Sequence, residues 1–186
     1  MKAMMLIAMC SINLLAGGQE MNVAICNQGG VNESVLSEAK SEMDLVYSSA
    51  GVRIVWQNCD GSPDATWFII RLRNDNPPRS GGAASLDVMG KAFVKDHGGY
   101  LADAYFKEVQ TTAQLYNGDA GVLLGFVMAH ELGHLILGAG HTQDGVMQAA
   151  WGQKQMYALR QRWLKFSESS AERIRLALGA RTLSVQ

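Results

Sequence analysis

The segment HELGHLILGAGHTQDGVM, residues 130 to 147, places three of the chain's four histidines within twelve positions. A chain containing it must either bring those imidazoles to a common point or pack them separately in a core. His130 and His134 lie four apart, inside a helical run that starts from a cap at Asp119 and reaches about Leu137. In an α-helix that interval turns the second side chain by only about 40° and moves it ~6 Å along the axis. Both rings then face the same way and reach one ion at a Zn–N distance of about 2.0–2.1 Å. Glu131, beside the first histidine, reaches a water on such an ion rather than the ion itself. Zinc lowers that water's pKa to about 7, and a carboxylate placed there accepts its proton as a carbonyl carbon is attacked. H-E-x-x-H is thus a complete hydrolytic proposal, with Zn2+ as the implied cofactor.

Catalytic zinc usually has three protein ligands. His141 is the candidate third, seven positions beyond His134. To present it the chain must leave the helix and double back, and Gly138 and Gly140 supply residues that tolerate a positive φ. Asp144 is an alternative oxygen ligand, and Glu168 or Glu172 from a later helix would make a gluzincin-type hydrolase. Four protein ligands, with Asp144 among them, would instead make a non-catalytic, exported zinc-binding protein. Histidines packed in the core for other reasons are the plainest alternative.

The segment resembles the metzincin signature, H-E-x-x-H-x-x-G-x-x-H followed by a methionine turn. The resemblance implies His130, His134 and His141 as metal ligands, Glu131 as general base and Gly138 as the turning glycine. Met147, in DGVM, corresponds to the methionine beneath the metal histidines, though a methionine there also serves simply to fill core. The match is close only over residues 130–147, and the interval from His134 to His141 is one residue longer than the pattern. What the resemblance implies is a zinc-dependent endopeptidase. Its peptide or protein substrate would lie extended along an edge strand, here 82–88 or 91–95.

The rest of the chain reads as sheet first and helices later. A strand at 21–26, a helix from about Asn32 to Ala50 and a strand at 52–57 form a βαβ unit, which favours parallel pairing. Asn32 offers a cap, and Val35, Leu36, Ala39, Met43, Val46 and Tyr47 recur at helical spacing. A third strand is predicted at 66–73, a weak one at 83–88 and a better one at 91–95. Helical spacing is predicted at 101–116 and again across 152–166 and 169–179. The fold class expected is α+β: a metzincin-like single domain whose twisted, mostly parallel sheet has an antiparallel edge strand and packs on helices. His97, beside Gly98 and Gly99, has no partner at metal spacing. Tyr100 and Tyr105 are of a type that stabilises oxyanions, but no spacing singles them out.

Residues 1–18 read as a signal peptide. Lys2 is followed by an apolar run from Ala3 to Ala16 and then by small residues, with a cut near Gly18 or Gln19. The run is about fourteen residues, short for a membrane span. Residues 19–186 would then be the exported domain, secreted or periplasmic, with no membrane as partner once the signal is removed. Its cysteines, Cys26 and Cys59, each end a strand, so parallel neighbouring strands would bring them within bridging reach. The formal net charge of −1 gives no electrostatic reason to expect nucleic acid or an anionic membrane as partner. A monomer is expected.

Overall fold

The computed structural model describes residues 18–59, 67–77, 88–95 and 98–184. Apart from Gly18, the expected signal peptide lies outside the described residues. So do His97 and, apart from Val88, the weak strand expected at 83–88.

Five strands form one sheet: β1 (Gln19–Asn27), β2 (Val52–Gln57), β3 (Phe68–Arg73), β4 (Gly90–Lys95) and β5 (Gly98–Tyr105). Their order is β2-β1-β3-β5-β4. The first four positions in that order run parallel, and β4 closes one edge antiparallel to β5. The sheet is therefore mostly parallel with an antiparallel edge, as expected. In β3, Phe68, Ile70 and Leu72 face the core while Ile69, Arg71 and Arg73 take the other face. That period of two is what a strand imposes.

The βαβ unit forms as predicted. Helix α1 (Glu33–Ser49) is capped by Asn32, whose side chain accepts from Ser34 N at 2.9 Å. It buries Leu36, Ala39, Met43, Val46 and Tyr47 on one stripe. Because β1 and β2 are parallel neighbours, their C-terminal ends meet, and Cys26 and Cys59 form a disulfide with Cα atoms 5.2 Å apart.

Helices α2 (Phe106–Leu115), α3 (Ala120–Leu137), α4 (Gln153–Arg160) and α5 (Glu168–Ser184) complete the fold. Helix α3 lies at the centre, packed on α1, α2 and α5 and on strands β4 and β5. It is long and apolar enough to cross a membrane, yet 78% of it is buried within the protein, as a core helix requires.

Two expectations are corrected. Residues 101–105 are not the start of a helix but the end of β5. Ala102 and Ala104 face the core while Asp103 and Tyr105 are buried on the opposite face. With both faces covered, alternation disappears, and alanines that read as helix formers serve as small residues beneath α3. The second correction concerns 152–166. Helix α4 ends at Arg160, Arg162 takes φ 55°, and the chain continues without helix to Ser167. There Leu164 and Phe166 are buried between exposed Trp163 and Lys165, an alternation no helix produces.

Candidate metal centre

Helix α3 is fixed at both ends. Asp119 accepts from Gly121 N at 2.7 Å and from Val122 N at 2.9 Å, satisfying two otherwise orphaned donors. At the other end Gly138 adopts φ 89° and ψ −170°, and its N–H returns to His134 O at 2.8 Å. That positive φ is open to glycine without steric penalty. The three residues between His134 and Gly138 all remain in the helix, so the reversal begins one position later than in the motif. Beyond it the chain brings His141 back over the helix.

The three imidazoles converge. His134 Nε2 lies 3.0 Å from His130 Nε2 and 3.2 Å from His141 Nε2, and all three ligand atoms fall within 4.8 Å of one another. The opposite ring nitrogens explain the orientation. His130 Nδ1 donates to Val146 O at 2.7 Å and His134 Nδ1 donates to Gly138 O at 2.9 Å, since a carbonyl only accepts. With the proton of each neutral ring on Nδ1, the Nε2 atoms present lone pairs to one another. Unprotonated nitrogens at that spacing repel unless a cation lies between them. Tetrahedral zinc places ligand nitrogens roughly 3.3 Å apart. The donor set therefore fits a divalent zinc-like ion.

Electrostatics agree. Burial lowers His130 to about 4, the Val146 carbonyl opposing and the neighbouring histidines reinforcing the shift. Burial lowers His134 as well, with Gly138 opposing. Both rings are thus neutral at physiological pH, the form that binds metal. Glu131 is 6% exposed, and burial raises its carboxyl to about 8, held back by the main-chain N–H of Ala92. A divalent cation next to it pulls in the opposite direction.

Below the histidines, Met147 is 1% exposed and packs against α3 where residue 133 has no side chain. A Cβ built on Gly133 would fall 2.4 Å from Met147 Sδ. The turn that carries Met147 is itself held: Val146 N donates to Lys165 O at 2.9 Å and Thr142 N donates to Met147 O at 2.9 Å. The extended segment misread as helix is therefore what fixes the carbonyl that orients His130.

The cluster opens onto a cleft of about 690 Å3. Its walls include Gly90, Lys91, Ala92 and Val94 of β4, Thr112, Leu115 and Tyr116 near the end of α2, and Ala149 to Trp151. Trp151 meets the His130 ring edge-on, with centroids 5.7 Å apart.

His130, Glu131, His134 and His141 are thus all brought to one place. Among the described residues, Asp144, Glu168 and Glu172 do not join the cluster. Neither Tyr100 nor Tyr105 lines the cleft. Tyr100 stacks near Phe68 beneath the Arg181 guanidinium, and Tyr105 shares the far face of the sheet with Asp103. Tyr116, Trp151 and the β4 residues were not identified as site residues from sequence, because only tertiary packing carries them to α3.

No family model matches the chain, and no curated protein is similar to it in sequence. Among solved structures it is similar to the crystal structure of archaemetzincin from Methanopyrus kandleri, with a TM-score of 0.59 at 16% identity. The likeness covers 89% of this chain and 99% of that one, and it establishes an archaemetzincin-like fold.

Proposed function

We propose that the chain is a zinc-dependent endopeptidase whose metal is held by His130, His134 and His141. The observation that carries this reading is the convergence of three imidazole Nε2 atoms, two of them presenting lone pairs, beside the Glu131 carboxyl in one open cleft. Zinc held there supplies Lewis acidity, polarising a carbonyl oxygen and acidifying a water. Glu131 takes up the proton released at that water, which its burial favours. The Val146 and Gly138 carbonyls hold the protons of His130 and His134 on Nδ1, which leaves the Nε2 atoms of those two rings unprotonated. The exposed edge of β4, which includes the expected 91–95, offers main-chain groups to an extended peptide.

In this reading residues 1–18 are an export signal, and residues 19–186 work as a secreted or periplasmic monomer. The Lys2-led apolar run and the Cys26–Cys59 disulfide support that location, since disulfides persist in oxidising compartments.

The test is metal analysis of chain 19–186 together with digestion of a peptide library, with and without chelator. Stoichiometric zinc and chelator-sensitive cleavage are expected. Glu131→Gln should retain the metal and lose activity by at least about 100-fold, the lower range for a general base. A chain that binds no zinc, or a Glu131→Gln variant as active as the wild type, overturns the reading.

A further inference from the structure

The face of β4 turned towards α3 carries Gly90, Ala92 and Val94, alternating with exposed Lys91, Phe93 and Lys95. Side-chain volume along this face falls from Val94 to nothing at Gly90. The Glu131 carboxyl lies at that empty end. A Cβ built on Gly90 would fall 2.5 Å from both Cγ and Oε1 of Glu131 and 2.8 Å from its Cδ. Carbon contacts are normally about 3.5–4.0 Å, so no side chain at position 90 is compatible with the carboxyl where it stands. Gly90 is not among the residues with positive φ, so its backbone conformation does not itself call for glycine. What glycine contributes here is space rather than conformational freedom. One pleat along, the Ala92 N–H is directed at the same carboxyl.

We propose that Gly90 is a positioning residue: by lacking a side chain, the edge strand gives the Glu131 carboxyl its place in the cleft wall, and a Cβ there displaces it. The strand that would bind substrate therefore also sets where the general base stands. The effect on catalysis rests on the peptidase reading; the displacement itself does not.

Gly90→Ala is the test, read three ways. Carbodiimide labelling of Glu131, followed by mass spectrometry, should rise several-fold as the carboxyl leaves its buried place. Zinc affinity and the thermal midpoint should stay at wild-type values, because only the end of a flexible side chain has to move. Peptide hydrolysis should fall about 100-fold in kcat with KM unchanged, within the range attributed to a general base. On a Glu131→Gln background the same change should produce no further loss. Unchanged labelling overturns the proposal, as does an equal loss of activity on both backgrounds. If Gly90→Ala itself lowers the midpoint, adding Glu131→Ala removes the clash and should restore it to that of Glu131→Ala; failure to restore it also overturns the proposal. Should the wild type cleave no peptide, the peptidase reading falls while the labelling still decides the role of Gly90.

Discussion

His130 and His134 project from a helix enclosed by α1, α2, α5 and the sheet, whereas His141 stands on an exposed loop. Each helical histidine has its second nitrogen hydrogen-bonded to a main-chain carbonyl; no such partner is found for His141 among the described residues. One half of the cluster is therefore oriented before any ion arrives. The other half is held only through its neighbour, Thr142, whose N–H donates to Met147 O, and the His141 ring itself has no main-chain anchor among the described residues. A preorganised half sets affinity, because little conformational freedom is lost there on binding, while a loop-borne ligand governs how readily the site opens.

The largest expected effect separates the two halves directly. His134→Ala should weaken zinc binding by more than about 100-fold, beyond what a supporting hydrogen bond contributes, while His141→Ala should stay within about 100-fold. Competition titration against a zinc chelator measures both. Equal losses would mean that the loop half is as well fixed as the helix half.

A second, smaller effect concerns the buried half alone. Burial raises Glu131 from 4.5 to about 8, so its contribution to stability is complete below about 4.5 and is lost as pH rises through 8. Burial lowers His130 from 6.5 to about 4, so its contribution is complete above 6.5 and is lost as pH falls towards 4. The two offset each other between 4.5 and 6.5, and only Glu131 acts above that. The metal-free chain should lose about 2 kcal/mol of stability between pH 6.5 and 8. Thermal unfolding in chelator at those two pH values measures it, and bound zinc should flatten the slope by keeping Glu131 ionised. A midpoint equally pH-dependent with and without zinc would break the assignment.

The last effect belongs to the hinge between the halves. Nothing lies within 4 Å of a Cβ built at Gly138, so Gly138→Ala meets only the backbone penalty of its φ of 89°. A loss of about 1–3 kcal/mol is expected, together with weaker zinc binding as His141 shifts. A variant that loses stability but binds zinc as tightly as wild type would show that the loop re-forms around the ion.

The same division governs what could be read from sequence. The convergence of His130 and His134 was legible because a helix turns a sequence interval into a direction, and Gly138 was legible because few residues tolerate such a bend. The βαβ start was legible from periodicity and the Asn32 cap. Strand β5 was not, because burial on both faces removes alternation and Ala102 and Ala104 suggest helix. The segment after α4 was not, because RQRWLKF continues an apolar spacing that suits either structure, and only the pairing of Val146 with Lys165 decides between them. Gly90 was invisible for a different reason: its importance lies in an atom it lacks, opposite a residue 41 positions away.

The open margin of the sheet has one more consequence. The edge strand proposed to take an extended peptide would be equally inviting to the same strand on another molecule, and such pairing would bury the cleft in a fibre or a dimer. Lys91 and Lys95 alternate outward with Phe93 along β4, so two such margins brought together would set ammonium groups against one another. Lysines at that spacing discourage self-association along β4.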